Sequence, residues 1–241
     1  MDHTSFRETA KNTAIIPTPE LEENDYDWRA HHEKILSVKH QVDPEVVLIG
    51  DSITHFWEGD PETGIVHGSK EVWNSLFTPY RVLNLGFGWD RTQNVLWRLD
   101  HGELEGLNPK IVVILIGTNN TSETNNARAN DPDEIAEGLH AICDRIHVYA
   151  PQAKIVIMAI LPREELSTHP RRDLIEQINM HYAQIAKNRE YNFVDIGPSL
   201  LETDGTLSPR IAFDFCHLTE SGYQKWADAL RPLLQLHLGR K

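Results

Sequence analysis

"VVLIGDSITHFW", residues 46–57, begins with four aliphatic residues in a row, turns at a glycine and continues into a polar-started segment of helical character. Strands buried on both faces show such unbroken hydrophobicity, whereas a strand with one wet face alternates. The same signature recurs in "EVVLIG" (45–50), "RVLNLG" (81–86), "KIVVILIG" (110–117), "KIVIMAI" (154–160) and "YNFVDIG" (191–197). Five such runs predict a parallel sheet covered on both sides.

The intervening segments carry a helical period. In "PDEIAEGLHAICDRIHVYA" Ile135, Leu139, Ile142, Ile146 and Tyr149 share one face, and "RRDLIEQINMHYAQIAKNRE" places Leu174, Ile178 and Ile185 similarly. The last segment, "TESGYQKWADALRPLLQ", sets Tyr223, Trp226, Ala227, Leu230 and Leu234 at helical spacing, with Ser221 and Gln224 resembling a capping box. Strand–helix–strand units with right-handed crossovers build a three-layer α/β/α fold, here a flavodoxin-like, doubly wound, five-stranded parallel sheet. In such folds ligands bind beyond the carboxyl ends of the strands. Residues 1–27, polar with an acidic "ELEEND", read as an extended N-terminal arm, and residues 28–241 as one domain.

The composition, 40% hydrophobic and 24% charged, is that of a globular chain and argues against general disorder. A formal net charge of −13 argues against phosphate backbones and anionic membranes as partners, although excess acid also simply aids solubility, and a small molecule is the expected partner. Cys143 and Cys216 are too few and too far apart for a disulfide framework or a zinc site, and both are expected to be small buried residues. No apolar run approaches the ~20 residues of a membrane span, and "MDHTSFRETAKNTAIIPTPE" lacks the layout of a signal peptide. A cytoplasmic protein is expected as the sequence stands, and a secreted or periplasmic one if a leader once preceded it.

Three strand ends then stand out: "GDS" after the first, "GFGWD" after the second and "GTNN" after the third, all leaving one edge of the sheet. Gly50 and Gly117 permit sharp turns that bring Ser52 to the mouth of a helix, where unpaired N–H groups favour developing negative charge. Ser52 is equally compatible with a plain helix cap. Near the other end of the chain, "FDFCHLT" holds Asp214 and His217 three residues apart, so the carboxylate can hold the imidazole Nδ1–H and leave Nε2 as a base. A serine hydroxyl needs such a base to become a nucleophile. The side-chain amide of Asn119, in "TNN", is placed to donate to an oxyanion, although turn formation also explains it. Asp51 adjoins Ser52, but side chains of neighbours on a turn diverge, so Asp214 is the better orienting acid.

With these residues in view, the chain resembles the SGNH (GDSL-type) hydrolase family, and within it the branch of platelet-activating-factor acetylhydrolase catalytic subunits and their bacterial relatives. The likeness runs from about Trp28 to Leu233 and is carried by "VVLIGDSITHFW", "NLGFGWDRTQNVLWRLDHGELEG", "IVVILIGTNN", "LPRE", "VDIG" and "FDFCHLTESGYQKWADALRPLL" in order. It implies Ser52 as nucleophile, His217 as general base and acid, and Asp214 as its partner. It further implies an oxyanion hole formed by the Ser52 N–H, a backbone N–H in "GFGWD" and Asn119. Relatives usually have glycine where this chain has Trp89, so the Trp89 N–H ranks first as that second donor and Gly88 is the alternative. Asp90 is expected to anchor the turn bearing Ser52, with Val95, Leu96 and Leu99 in the core. Trp57, Phe87, Asn120 and Arg163 are expected along the substrate pocket.

The implied activity is hydrolysis of short-chain, acetyl-type esters of a lipid or carbohydrate alcohol through an acyl-enzyme, and a homodimer is plausible by the same likeness. Crowding by Phe87 and Trp89 is expected to favour the small acyl group. The chemistry needs no metal or organic cofactor, and His31, His32, His40, His55, His67, His101 and His169 show no ligand spacing. The rival readings are a flavodoxin-like module that binds an anion without catalysis and a catalytically silent scaffold.

Overall fold

Alternate residues of the central strands part to opposite faces of one sheet, which is why their sequences read as continuous apolar runs. In the computed structural model, which describes residues 11–59 and 68–239, the strands are β1 (Val46–Gly50), β2 (Val82–Gly86), β3 (Ile111–Leu115), β4 (Lys154–Met158) and β5 (Asn192–Val194). All pair in parallel, in the order β2-β1-β3-β4-β5, the flavodoxin-like arrangement the sequence predicts.

Val47, Ile49, Val112, Ile114, Ile155 and Ile157 face one layer, formed by α1 (Trp28–Val42), α4 (Thr92–Asp100), α5 (Pro132–Tyr149) and α6 (Pro170–Arg189). Val46, Leu48, Ile111, Val113, Leu115, Val156 and Met158 face the other. That layer is formed by α2 (Ser52–Glu58), α3 (Lys70–Phe77), α7 (Gly197–Leu200) and α8 (Glu220–Leu238). Val95, Leu96 and Leu99 are fully buried in the first layer and Trp226 is buried in the second.

Local signals explain most helix starts. Asp131 and Glu134 close a capping box around Pro132: the Glu134 N–H donates to Asp131 Oδ1 (2.9 Å) and the Asp131 N–H to Glu134 Oε2 (3.3 Å). The box expected at Ser221 and Gln224 does not form. Thr219 holds the N-cap position of α8 without a side-chain capping bond, its hydroxyl donating instead to the Arg210 carbonyl (2.6 Å), and Gln224 lies inside the helix, bonded to Asp228 (2.7 Å). On α6 the buried stripe is Ile175, Ile178, Tyr182 and Ala186, with Leu174 and Ile185 only half-buried at its flanks. β5 covers three residues rather than seven, because it is a half-buried edge strand.

Residues 11–27 have no strand or long helix and run across α4 and α5, while residues 1–10 and His67 lie outside the described residues. Ala14 is fully buried and its carbonyl accepts from the Thr92 hydroxyl (2.9 Å). Thr18 N–H donates to the Gln93 carbonyl (3.1 Å), and Asn94 donates to the Pro19 carbonyl (2.7 Å). Since β2 and β3 flank β1, the loops after all three strands open on one crevice, which positions the site.

Candidate active site

Ser52 is the first residue of α2, separated by Asp51 from Gly50, which ends β1 in an ordinary strand conformation rather than the sharp glycine turn the sequence suggests. Asp51 caps that helix: its Oδ1 accepts the Ile53 N–H (3.0 Å), and the carboxyl is buried. Burial pushes Asp51 up to about 7, partly offset by that hydrogen bond. The residue beside the hydroxyl is therefore a capping group within the fold, with no bond to the imidazole.

The hydroxyl meets the far end of the chain. Ser52 Oγ lies 2.8 Å from His217 Nε2, and His217 Nδ1 lies 2.7 Å from Asp214 Oδ2. A carboxylate only accepts, so Nδ1 carries the proton and Nε2 is left to take one from Oγ. Asp214 is fixed in turn by its other oxygen, which accepts the N–H groups of Cys216 (3.1 Å) and His217 (2.7 Å). Burial works to raise the Asp214 carboxyl, but these bonds from His217 and Cys216 outweigh it and hold the group below its usual range. The loop that does this is tight: Phe215 has φ 62, its N–H bonds to the Ala212 carbonyl, and Phe213 N–H bonds to the His217 carbonyl.

The second strand end forms a turn closed by the Asp90 N–H on the Phe87 carbonyl (3.3 Å). Trp89 occupies its third position with φ 61, where glycine is the usual residue. Gly88 N–H donates to the Tyr26 hydroxyl oxygen (2.8 Å), whereas Trp89 N–H has no hydrogen-bond partner among the described residues. From the third strand end, Asn119 Nδ2 donates to the Asp90 carbonyl (3.0 Å), leaving its second amide hydrogen uncommitted.

Ser52, His217, Asp214, Asn119, Gly88 and Trp89 line one cavity of about 410 Å³, and Arg163 joins them. The other three pocket candidates do not. Trp57 is fully buried in an aromatic stack with Tyr223 and Trp226, because its side of α2 faces the core. Phe87 is buried against Trp28, with the Arg98 guanidinium 4.0 Å from its ring centre. Asn120 spends its carboxamide holding Thr92, Gln93 and Asn130. Asp90 anchors its own turn rather than the one bearing Ser52, accepting from Trp28 Nε1 and Arg98 Nε, both at 2.8 Å.

Several lining residues escaped sequence reasoning. Phe56 follows Ser52 by one helical turn and tilts over the imidazole at 5.0 Å, a spacing that α2 alone makes readable. Phe213 stacks with the same ring at 5.9 Å. Glu23, Asn24, Asp25 and Tyr26 of the arm form one wall, and no periodicity announces them. Cys216, expected in the core, is half-buried and lines the cavity; burial pushes its thiol up to about 12, so it stays neutral.

Among the described residues no cluster of three or more His, Cys, Asp or Glu is arranged to hold a metal, and no helix is long and apolar enough to cross a membrane.

Residues 48–225 match the model of the GDSL-like lipase/acylhydrolase family. The chain belongs to this family. Curated relatives include platelet-activating factor acetylhydrolase IB subunit alpha1 of Rattus norvegicus, 36% identical over 226 residues that span 93% of this chain and 90% of the relative. Subunit alpha2 from Bos taurus is 33% identical over 225 residues, covering 92% and 90%. Among solved structures, a GDSL-like lipase from Bacteroides thetaiotaomicron shares the fold with a TM-score of 0.66 at 19% identity, covering 86% of this chain and 98% of that one. The acetylxylan esterase Axe2 from Geobacillus stearothermophilus does so with a TM-score of 0.62 at 21% identity, covering 82% and 95%. Family membership makes this GDSL-family chain a carboxylic ester hydrolase, which removes the non-catalytic binding module as a reading.

Proposed function

We propose that this GDSL-family hydrolase cleaves short acyl esters, acetyl first among them, of a lipid or carbohydrate alcohol through an acyl-enzyme on Ser52. The reading rests above all on the 2.8 Å contact between Ser52 Oγ and His217 Nε2. As Oγ attacks the ester carbonyl, His217 takes its proton and the Asp214 carboxylate stabilises the imidazolium. The carbonyl oxygen becomes an oxyanion, received by the N–H groups of Ser52 and Trp89 and the Asn119 amide; one such donor contributes ~3 kcal/mol to the transition state. His217 then protonates the departing alcohol. Water, deprotonated by the same imidazole, attacks the acyl carbon and releases the acid and Ser52.

The acetyl preference draws on the names of the acetylhydrolase relatives and the acetylxylan esterase, and on the cavity wall. The crowding comes from Phe56, Trp89 and Phe213 rather than from Phe87. The test is a pair of measurements on the wild type and Ser52→Ala. Wild type should release acetate from p-nitrophenyl acetate faster than it cleaves the octanoate, and a fluorophosphonate should label it at Ser52. Ser52→Ala should lose both turnover and label. Octanoate cleaved faster than acetate sinks the short-acyl reading, and undiminished turnover in Ser52→Ala sinks the nucleophile. A panel of acetylated sugars and acetyl glycerolipids then separates the alcohols.

A further inference from the structure

The wall of the cavity formed by the N-terminal arm does more than enclose it. Tyr26 is held in place edge-on to the rings of His31 and His55, at 5.6 and 5.0 Å, and its hydroxyl oxygen accepts the Gly88 N–H at 2.8 Å. The arm also explains the glycine. Gly88 does not have a positive φ, yet a Cβ there would lie 2.7 Å from Asn24 Oδ1 and 3.2 Å from Tyr26 Cε1. Gly88 is thus bare because the arm lies on it.

Trp89, the next residue, presents the opposite case. It takes φ 61 with a bulky side chain, a left-handed conformation that is strained for any L residue with a Cβ. Such a conformation persists only where the surroundings over-determine it. Two bonds from outside the turn do so: Tyr26 takes the N–H of Gly88 on one side, and Asn119 donates to the carbonyl of Asp90 on the other. The first bond has a second effect. A turn of this kind exposes two adjacent N–H groups, those of Gly88 and Trp89, and Tyr26 removes one of them from the cavity.

We infer that Tyr26 is a positioning residue for the oxyanion site: by accepting the Gly88 N–H it holds the strained turn so that the turn's one remaining free N–H, that of Trp89, joins the Ser52 N–H in facing the reacting carbonyl. The inference rests on the acyl-enzyme reading above. It gives the arm, which carries no family motif, a direct share in the rate of the chemical step.

Tyr26→Phe deletes the hydroxyl and keeps the ring. With p-nitrophenyl acetate, well below the melting midpoint of each protein, kcat should fall about 3- to 10-fold, the kinetic equivalent of one net hydrogen bond. KM should change by less than about twofold, since a donor used only in the transition state does not bind the ground state. The rate of fluorophosphonate labelling at Ser52 should fall in the same proportion, because it needs the same oxyanion geometry. A kcat and labelling rate equal to wild type overturn the inference, and so does a loss confined to KM, which would make Tyr26 a contact for the alcohol. Wild type that takes no label at Ser52 would instead refute the acyl-enzyme reading on which the inference stands.

Discussion

At the scale of single residues, the proposed chemistry depends on which ring nitrogen of His217 carries the proton, and the contact with Asp214 sets that. Its Oδ1 accepts two backbone N–H groups and its Oδ2 the ring Nδ1–H, so one side chain shapes the loop and sets the tautomer. Asp214→Asn separates the two roles. The amide oxygen still accepts from Cys216 and His217, but the NH2 group now opposes Nδ1–H and favours the tautomer with Nε2 protonated, which cannot take the Ser52 proton. We expect kcat to drop by about 10³–10⁴, with a melting temperature close to wild type. A variant that keeps more than about a tenth of the wild-type kcat would show that the tautomer does not control the rate. The convergence of Ser52, His217 and Asp214 was legible in the sequence because each is chemically distinctive and sits in a short motif. Trp57, Phe87 and Asn120 were misread for the complementary reason: proximity to a motif along the chain does not say which face of an element a side chain takes. Trp57 turns into the aromatic core, while Phe56, its neighbour, turns to the imidazole.

At the scale of elements, α2 must lie hard against the ends of β1 and β2 to deliver Ser52 to the edge of the sheet. Two glycines permit this by absence of a side chain rather than by unusual backbone angles. A Cβ on Gly50 would lie 2.0 Å from Thr54 Oγ1, and one on Gly86 would lie 2.2 Å from the His55 backbone N. Gly86→Ala therefore pushes on backbone that cannot yield. We expect a loss of at least ~2 kcal/mol of stability together with reduced turnover, as α2 is displaced. Gly239→Ala is the control: φ is 66 but nothing lies within 4 Å of its Cβ, so it should cost only the ~1 kcal/mol of left-handed strain. Equal melting temperatures for the two would refute the close-approach argument. A second junction ties α4 to its surroundings through Arg98, fully buried between Asp90 and Glu103, which in turn contacts His32 (2.9 Å). Arg98→Met leaves two buried carboxylates without their cation and should cost about 3–5 kcal/mol by chemical denaturation. Central strands and the faces of α5 and α8 were readable because burial imposes an unbroken pattern. The capping of α8 and the true stripe of α6 were not, since tertiary neighbours select among equivalent local solutions.

At the scale of the whole molecule, ionisation differs between the folded and unfolded chain in two opposed ways. Arg128 and Asn130 bond to Glu134, and the Arg128 bond is foremost in holding its carboxyl down at about 2; stability from this source is present above the ordinary glutamate range and is lost as pH falls toward 2. Asp51 behaves inversely. Burial raises it to about 7, so between about pH 4 and 7 the folded chain keeps a proton that the unfolded chain has released. The unfolded state then binds fewer protons, and stability falls as pH climbs through that window. The net charge of −13 adds self-repulsion in the same direction. The melting temperature should thus be higher at pH 5 than at pH 8. Asp51→Asn keeps an oxygen to cap the Ile53 N–H while removing the titrating group, so its melting temperature should decline less over this range. Parallel decline in the two proteins would show that the buried carboxyl beside Ser52 is not the group responsible, and would leave Asp90, which burial likewise pushes up to about 7, and overall charge repulsion as the causes.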